Sequence, residues 1–161
     1  RTGAAMDAGG ALAAEGQVNA DALDLLMANP WFEMPMPKSL DRDSFVADAI
    51  GGLSNEDGAA TLTAFTSRSI VKGIVISGGA DQIVVAGGGA HNPVLLRMLS
   101  EDAGMAVTSA EALGWSPDFL EAQAFAFLAA RSVAGLPLSF PETTGVPAPM
   151  PGGVLAQPRG G

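Results

Sequence analysis

Apolar residues recur along the chain with two different periods, and the change of period divides it. Over residues 20–27, Leu23, Leu26 and Met27 share one helical face. Asn19 stands where an N-cap belongs, Asp21 lies in the first turn, and Asn29-Pro30 stops the helix. A shorter helix over residues 7–15 is predicted upstream, stopped at Gly16. Prolines at 30, 35 and 37 block both helix and central strand, so "WFEMPMPKSL" (31–40) is read as extended and irregular. A short helix over Asp43 to Ile50 follows. Ser54 or Asn55 then caps a longer one, with Glu56 and Asp57 in its first turn and an apolar face of Leu62, Phe65 and Ile70.

From residue 74 the pattern alternates between strand and helix. Residues 74–76 form a weak strand-like run before a Gly-Gly turn. Residues 82–86 form a stronger one, which runs into Gly87, Gly88 and Gly89. Asn92-Pro93 opens a helix with Val94, Leu95, Met98 and Leu99 on one side, and a strand is expected at 105–108. The longest helix predicted is "SPDFLEAQAFAFLAARSVAG", with Ser116 as N-cap, Pro117 at N1, Asp118 in the first turn and Gly135 past its end. Beyond residue 137 the chain is rich in Pro and Gly, and only Val154 to Ala156 has strand character. The expected fold is α/β, with few strands and with the sheet edge covered by the helices of the first third.

Composition narrows the chemistry. The 161 residues include 21 glycines, no cysteine and one histidine, and the formal net charge is −9. Disulfides and Cys-ligated metals are excluded, and a single His91 does not make a histidine metal site. So acidic a chain has no electrostatic footprint for nucleic acid or anionic lipid. No apolar run reaches membrane-spanning length and no signal peptide is visible, so a cytoplasmic location is the default. The chain starts at Arg1 rather than Met, and is read as a fragment.

Two places invite a functional reading. Three glycines between a strand and a helix permit positive φ, close approach of a ligand to the backbone, and exposed N–H groups for phosphate beside a helix N-terminus. The spacing Gly87-x-Gly89-x-x-Asn92 falls one residue short of the dinucleotide fingerprint, and no Gly-Lys-Ser/Thr follows for a Walker loop. A tight strand–helix turn without a ligand accounts for the same residues. The second place is Glu121. On the helical wheel it falls between Phe125 and Leu128, on the apolar part of the first turn. It is either a carboxylate stabilised by the helix N-terminus or one aimed into a cleft to bind a polar ligand.

Several segments, taken in order, resemble the anhydro-N-acetylmuramic acid kinases. They are "MDAGGALAAEGQV", "NPWFEMPMPKSLDRDSF" with its Pro37-Lys38-Ser39 triplet, "VVAGGGAHNPVLLRML", "LGWSPDFLEAQAFAFLAARSVAGLP" and "TTGV" before a Gly-rich end. The resemblance implies the acetate and sugar kinase/actin superfamily, in which two ribonuclease-H-like domains flank an ATP cleft. It implies one C-terminal domain over 1–161, helices on a small mixed sheet, with a helical first third (1–73) and a nucleotide-side portion (74–161). Gly87, Gly88, Gly89 and Asn92 match the positions near the adenosine, and Glu121 matches a position facing the sugar. ATP and Mg2+ are the implied cofactors, and a homodimer the implied assembly of the parent.

The family's "GTSxDG" and "DTGPGN" segments, the second carrying the expected general base, do not occur in the chain. It is therefore expected to be the C-terminal half of such an enzyme and inactive alone, with no catalytic residue of its own. The implied reaction opens the 1,6-anhydro bridge with water and phosphorylates O6, a step of peptidoglycan recycling. A non-catalytic nucleotide-binding or regulatory half-domain of the same fold is the alternative; another sugar kinase of the superfamily is a third.

Overall fold

The computed structural model describes residues 3–36, 38–41, 44 and 47–156. The chain divides into two compact units, Arg1–Asp118 and Phe119–Gly161.

The first unit begins with a 3-10 turn, Ala8–Gly10, leading into α1 (Ala11–Glu15). The Asp7 carboxylate caps this pair, accepting from the Leu12 and Ala13 amides at 2.9 and 3.1 Å. Gly16 ends α1 as expected. It approaches the Glu56 carbonyl so closely that a Cβ would overlap it. Helix α2 (Ala20–Met27) starts at the expected cap, where Asn19 Oδ1 accepts the Ala22 N–H at 2.9 Å. Leu23 and Leu26 are buried, while Met27 is half-buried.

The proline-rich segment is not extended throughout. Pro30–Glu33 is a 3-10 turn that carries Phe32 into the core, edge-on to Phe65. Lys38 then closes the segment on itself. Its ammonium donates to the Trp31 and Phe32 carbonyls at 2.9 and 2.8 Å and lies over the Trp31 ring. Pro37 lies outside the described residues. So do Asp43, Phe45 and Val46 of the short helix expected over Asp43 to Ile50, of which Ala47–Ile50 is a 3-10 turn.

Helix α3 (Asn55–Ile76) is capped by Ser54, whose Oγ accepts the Asp57 N–H. Two expectations fail along it. Residues 74–76 are its last turn rather than a strand, because Gly78 and Gly79, both at positive φ, supply the stop. The Gly79 N–H returns to the Ile74 carbonyl at 2.9 Å. The buried face is also not the Leu62/Phe65/Ile70 face, since Leu62 and Ile70 are exposed. It is a stripe of small residues, Gly58, Ala60, Thr61, Ala64 and Ser67, against which α1 and a later helix, α4 (Pro93–Ala103), pack closely. The two polar members are satisfied. Thr61 Oγ1 accepts the Asn19 N–H at 3.0 Å, and Ser67 donates to Asp102 at 2.6 Å.

Strands β1 (Ile83–Val85) and β2 (Val107–Ser109) pair in parallel, Ile83 opposite Val107, with α4 as the crossover. The architecture is therefore α/β as expected, but the sheet among the described residues is wholly parallel, not mixed. It rests on α4, and the first-third helices reach it chiefly through that helix: α3 and the Ala8–Gly10 turn both pack on α4. Val94 and Leu99 of α4 are buried; Leu95 and Met98 are half-buried.

The second unit contains α5 (Leu120–Val133), which starts later than its sequence signals suggest. Ser116 does not cap it and Pro117 is not its first residue. Gly135, at positive φ, does close its C-terminus, with the Leu136 N–H on the Arg131 carbonyl. After a short α6 (Pro141–Thr144), Ser139 and Met150 form an antiparallel bridge. Val154 to Ala156 are not a strand. Val154 is almost fully exposed, and the segment is tied to α5 by Ser132, whose hydroxyl donates to the Gly152 carbonyl.

Candidate functional site

The glycine turn lies where the pattern places it, at the end of β1. Gly87 adopts φ 71° and ψ −166°, a conformation that strongly favours glycine. Its N–H donates to the Pro117 carbonyl at 2.9 Å. Residues Gly88–His91 make one 3-10 turn, with the Ala90 N–H on the Gly87 carbonyl and the Asn92 N–H on the Gly89 carbonyl. Helix α4 then starts at once. Asn92 Oδ1 caps it by accepting the Leu95 N–H at 3.0 Å, and Pro93 occupies the first turn.

The three glycines are not equivalent. Gly87 is required by its φ. A Cβ on Gly89 would make ordinary contact with Leu95 and Val85. A Cβ on Gly88 would meet nothing within 4 Å, and its φ is not positive. Backbone geometry therefore does not call for glycine there, and the turn leaves open space beside Gly88. Such space, found also beside Gly52, Gly58 and Gly73, admits another molecule to the main chain.

A second contact runs parallel to the Gly87–Pro117 bond. The His91 Nε2–H donates to Asp118 Oδ1 at 2.7 Å. Both side chains are more than half exposed. The hydrogen bond and the negative charge of Asp118 hold the imidazole above its ordinary value, and Glu111 adds to the effect. These contacts explain the late start of α5: Pro117 and Asp118 are engaged by the glycine turn, and the helix begins two residues after them. Sequence reasoning noted His91 and Asp118 separately and missed the pair, since they are 27 residues apart.

Glu121 is in the first turn of α5, as expected, but not in an apolar setting. No residue of α5 is buried. Glu121 is exposed, and Phe125 beside it is 65% exposed. The carboxylate needs no internal donors, and it is free to accept hydroxyl groups from outside. The structure brings Gly87, Gly88, Gly89 and Asn92 together in the first unit; Glu121 belongs to the second.

Cavities do not single out either place. An open cavity of about 810 Å3 lies within the second unit, lined by Phe125, Leu128, Ser132, Val133, Leu138 and Val154 among others. It is apolar, and no charged group lines it, which suits neither a phosphate nor a sugar. A smaller one of about 280 Å3 beside Asn92 is lined by Asp7, Thr63 and Thr66. The polar atoms there are already used: Asp7 caps α1 and both threonines donate to carbonyls of α3. Among the described residues, no group of three or more His, Asp or Glu converges to hold a metal ion. No helix among them is long and apolar enough to cross a membrane.

Comparison with known proteins converges on one family. The family model for anhydro-N-acetylmuramic acid kinase matches residues 1–157. A protein of that name from Nitrobacter winogradskyi is 49% identical over 159 residues, covering 98% of this chain and 43% of its own length. One from Acidiphilium cryptum is 51% identical over 160 residues, covering 98% of this chain and 44% of its own length. One from Caulobacter vibrioides is 51% identical over 148 residues, covering 91% and 40%. The chain thus spans about two-fifths of the length of these relatives, which corrects the expectation of a C-terminal half in its extent. Matched along nearly all its residues, the chain belongs to the anhydro-N-acetylmuramic acid kinase family.

Proposed function

We propose that this chain is the part of an ATP-dependent anhydro-N-acetylmuramic acid kinase that contributes an adenosine-side wall and one sugar contact. The observation that carries the reading is the glycine turn, with open space beside Gly88, in a chain of this family. Gly87, Gly88 and Gly89 would border the nucleotide, and Asn92 would hold their position by capping α4. Glu121 would accept hydrogen bonds from sugar hydroxyls. Its place in the first turn of α5 sets the carboxylate beside the helix N-terminus.

In the whole protein, water would attack the anomeric carbon of the 1,6-anhydro sugar. The C1–O6 bond would break, and O6 would take the γ-phosphoryl group of ATP. The products are N-acetylmuramic acid 6-phosphate, ADP and a proton. This chain's residues bind and orient, and the general base is supplied elsewhere in the protein. Mg2+ would accompany ATP and neutralise the phosphate charge, and among the described residues no group of three or more His, Asp or Glu gathers to hold it. A ribonuclease-H-like domain in a homodimeric, cytoplasmic enzyme of peptidoglycan recycling completes the reading. It is supported by family membership and by the β1–α4–β2 unit.

The test is made on the full-length protein, with 1,6-anhydro-N-acetylmuramic acid and ATP in 18O-labelled water. Sugar-dependent ADP release, with 18O retained in a phosphorylated product, is the expected result. Nucleotide binding without phosphoryl transfer would favour the regulatory half-domain instead, and absence of both would end the kinase reading.

A further inference from the structure

The glycine turn is held at both ends by the same short stretch of chain. At its start, the Gly87 N–H meets the Pro117 carbonyl; at its end, His91 meets Asp118. Between these two bonds lie Gly88, Gly89 and Ala90, a span whose main chain is closed on itself by the 3-10 bonds alone. Gly88 has no neighbour that a side chain at its position would touch, so packing does not fix that residue. One of the two end bonds is uncharged backbone. The other joins an imidazole to a carboxylate, both on the surface.

We propose that the His91–Asp118 pair is a positioning clasp that fixes the glycine turn for nucleotide binding. The inference rests on the reading of that turn as the nucleotide wall. Neither residue touches the reacting atoms; both act through the placement of Gly87–Gly89. The charged groups facing His91 are Asp118, adjoining Pro117, and Glu111, from the 3-10 turn Ala110–Leu113. Both are carboxylates, so the clasp is strongest with His91 protonated. Since the folded imidazole titrates above 6.5, the closed clasp is fully present at lower pH and weakens as pH rises through that raised value. The pair is exposed and therefore modest. Its loss should weaken nucleotide binding about two- to fivefold rather than abolish it.

Two measurements test this. His91 is the sole histidine of the chain, so its ring signal in an NMR titration of the 161-residue chain is unambiguous. The ring should titrate above 6.5, and the Gly87–Gly89 amides should move with the same midpoint. In Asp118→Asn the ring midpoint should fall towards 6.5 and the amide movement should vanish. Amides that ignore the His91 titration, or follow it equally in Asp118→Asn, would overturn the clasp. In the full-length protein, calorimetry should show ADP binding about two- to fivefold tighter near pH 6 than near pH 8.5, and His91→Gln and Asp118→Asn should flatten that dependence. A variant with a lowered melting temperature but an unchanged pH profile would make the pair merely structural. Gly88→Val separates the two readings. If it leaves ADP affinity intact, the nucleotide wall itself is wrong. If it weakens ADP and the clasp variants keep the wild-type pH profile, only the clasp is wrong.

Discussion

Gly10 lies directly against the side chain of Asn92: a Cβ built on Gly10 would overlap Asn92 Oδ1, the atom that caps α4. Gly10 also has φ 71°, where an L side chain is strained. The turn before α1 and the start of α4 are therefore fitted to each other across more than 80 residues of sequence. Gly10→Ala is expected to cost about 2–4 kcal/mol, from backbone strain and overpacking together. In an Asn92→Ala background the same change should cost less, because only the strain and the close contact with Val94 Cβ at 3.1 Å remain. Urea denaturation of the four members of this cycle measures the difference, and additive costs would contradict the contact.

Gly88→Val and Gly87→Val should behave oppositely. Gly88 has ordinary φ and open space, so its substitution should leave the melting temperature nearly unchanged while weakening ADP binding in the full-length protein. Gly87→Val forces a β-branched residue to positive φ and should destabilise by about 1–3 kcal/mol. Thermal melts with and without ADP distinguish the two. Equal ADP affinity for wild type and Gly88→Val would remove the glycine turn from the site.

For Glu121→Gln the structure sharpens the expectation. The carboxylate is exposed, so its loss should not disturb the fold. If it binds the sugar, the full-length variant should lose about 1.5–3 kcal/mol of apparent sugar binding or transition-state stabilisation. Steady-state kinetics over a range of sugar concentrations, with a parallel melt, are the measurement. Unchanged kinetics would take Glu121 out of the site.

Ser67 is fully buried on α3, and its hydroxyl donates to Asp102 of α4 at 2.6 Å. Arg68 lies 4.0 Å from the other oxygen of that carboxylate. Ser67→Ala should destabilise the chain by about 1–2 kcal/mol, because a charge-assisted bond between two packed helices is lost. Asp102→Asn keeps an acceptor and should cost less. The opposite order in denaturation midpoints would assign the stabilisation to Arg68 instead.

Local signals were the legible ones. Asn19, Ser54 and Asn92 cap the helices their positions suggest, because a cap needs only the residue and the amides just after it. The triple glycine ends a strand for the same reason. What could not be read depended on partners distant in sequence. Ser116 and Pro117 have the chemistry of a helix start, yet the Gly87 N–H and His91 engage Pro117 and Asp118, and α5 waits until Leu120. The wheel of α3 favoured Leu62 and Ile70, but close approach of α1 and α4 selects its small residues for burial. Glu121 falls between Phe125 and Leu128 by angle, but Phe125 is exposed and Leu128 only half-buried, so the angle said nothing about burial.

The pairing of β1 with β2 has a consequence for what can join the sheet. Among the described residues these strands pair only with each other, so each has an outer edge without a strand partner. Parallel strands are rarely left so in finished domains, because unpaired edges template further strands. Val84, between Ile83 and Val85, is also partly exposed. The outer edges of β1 and β2 are therefore the places where a further strand would add to this sheet.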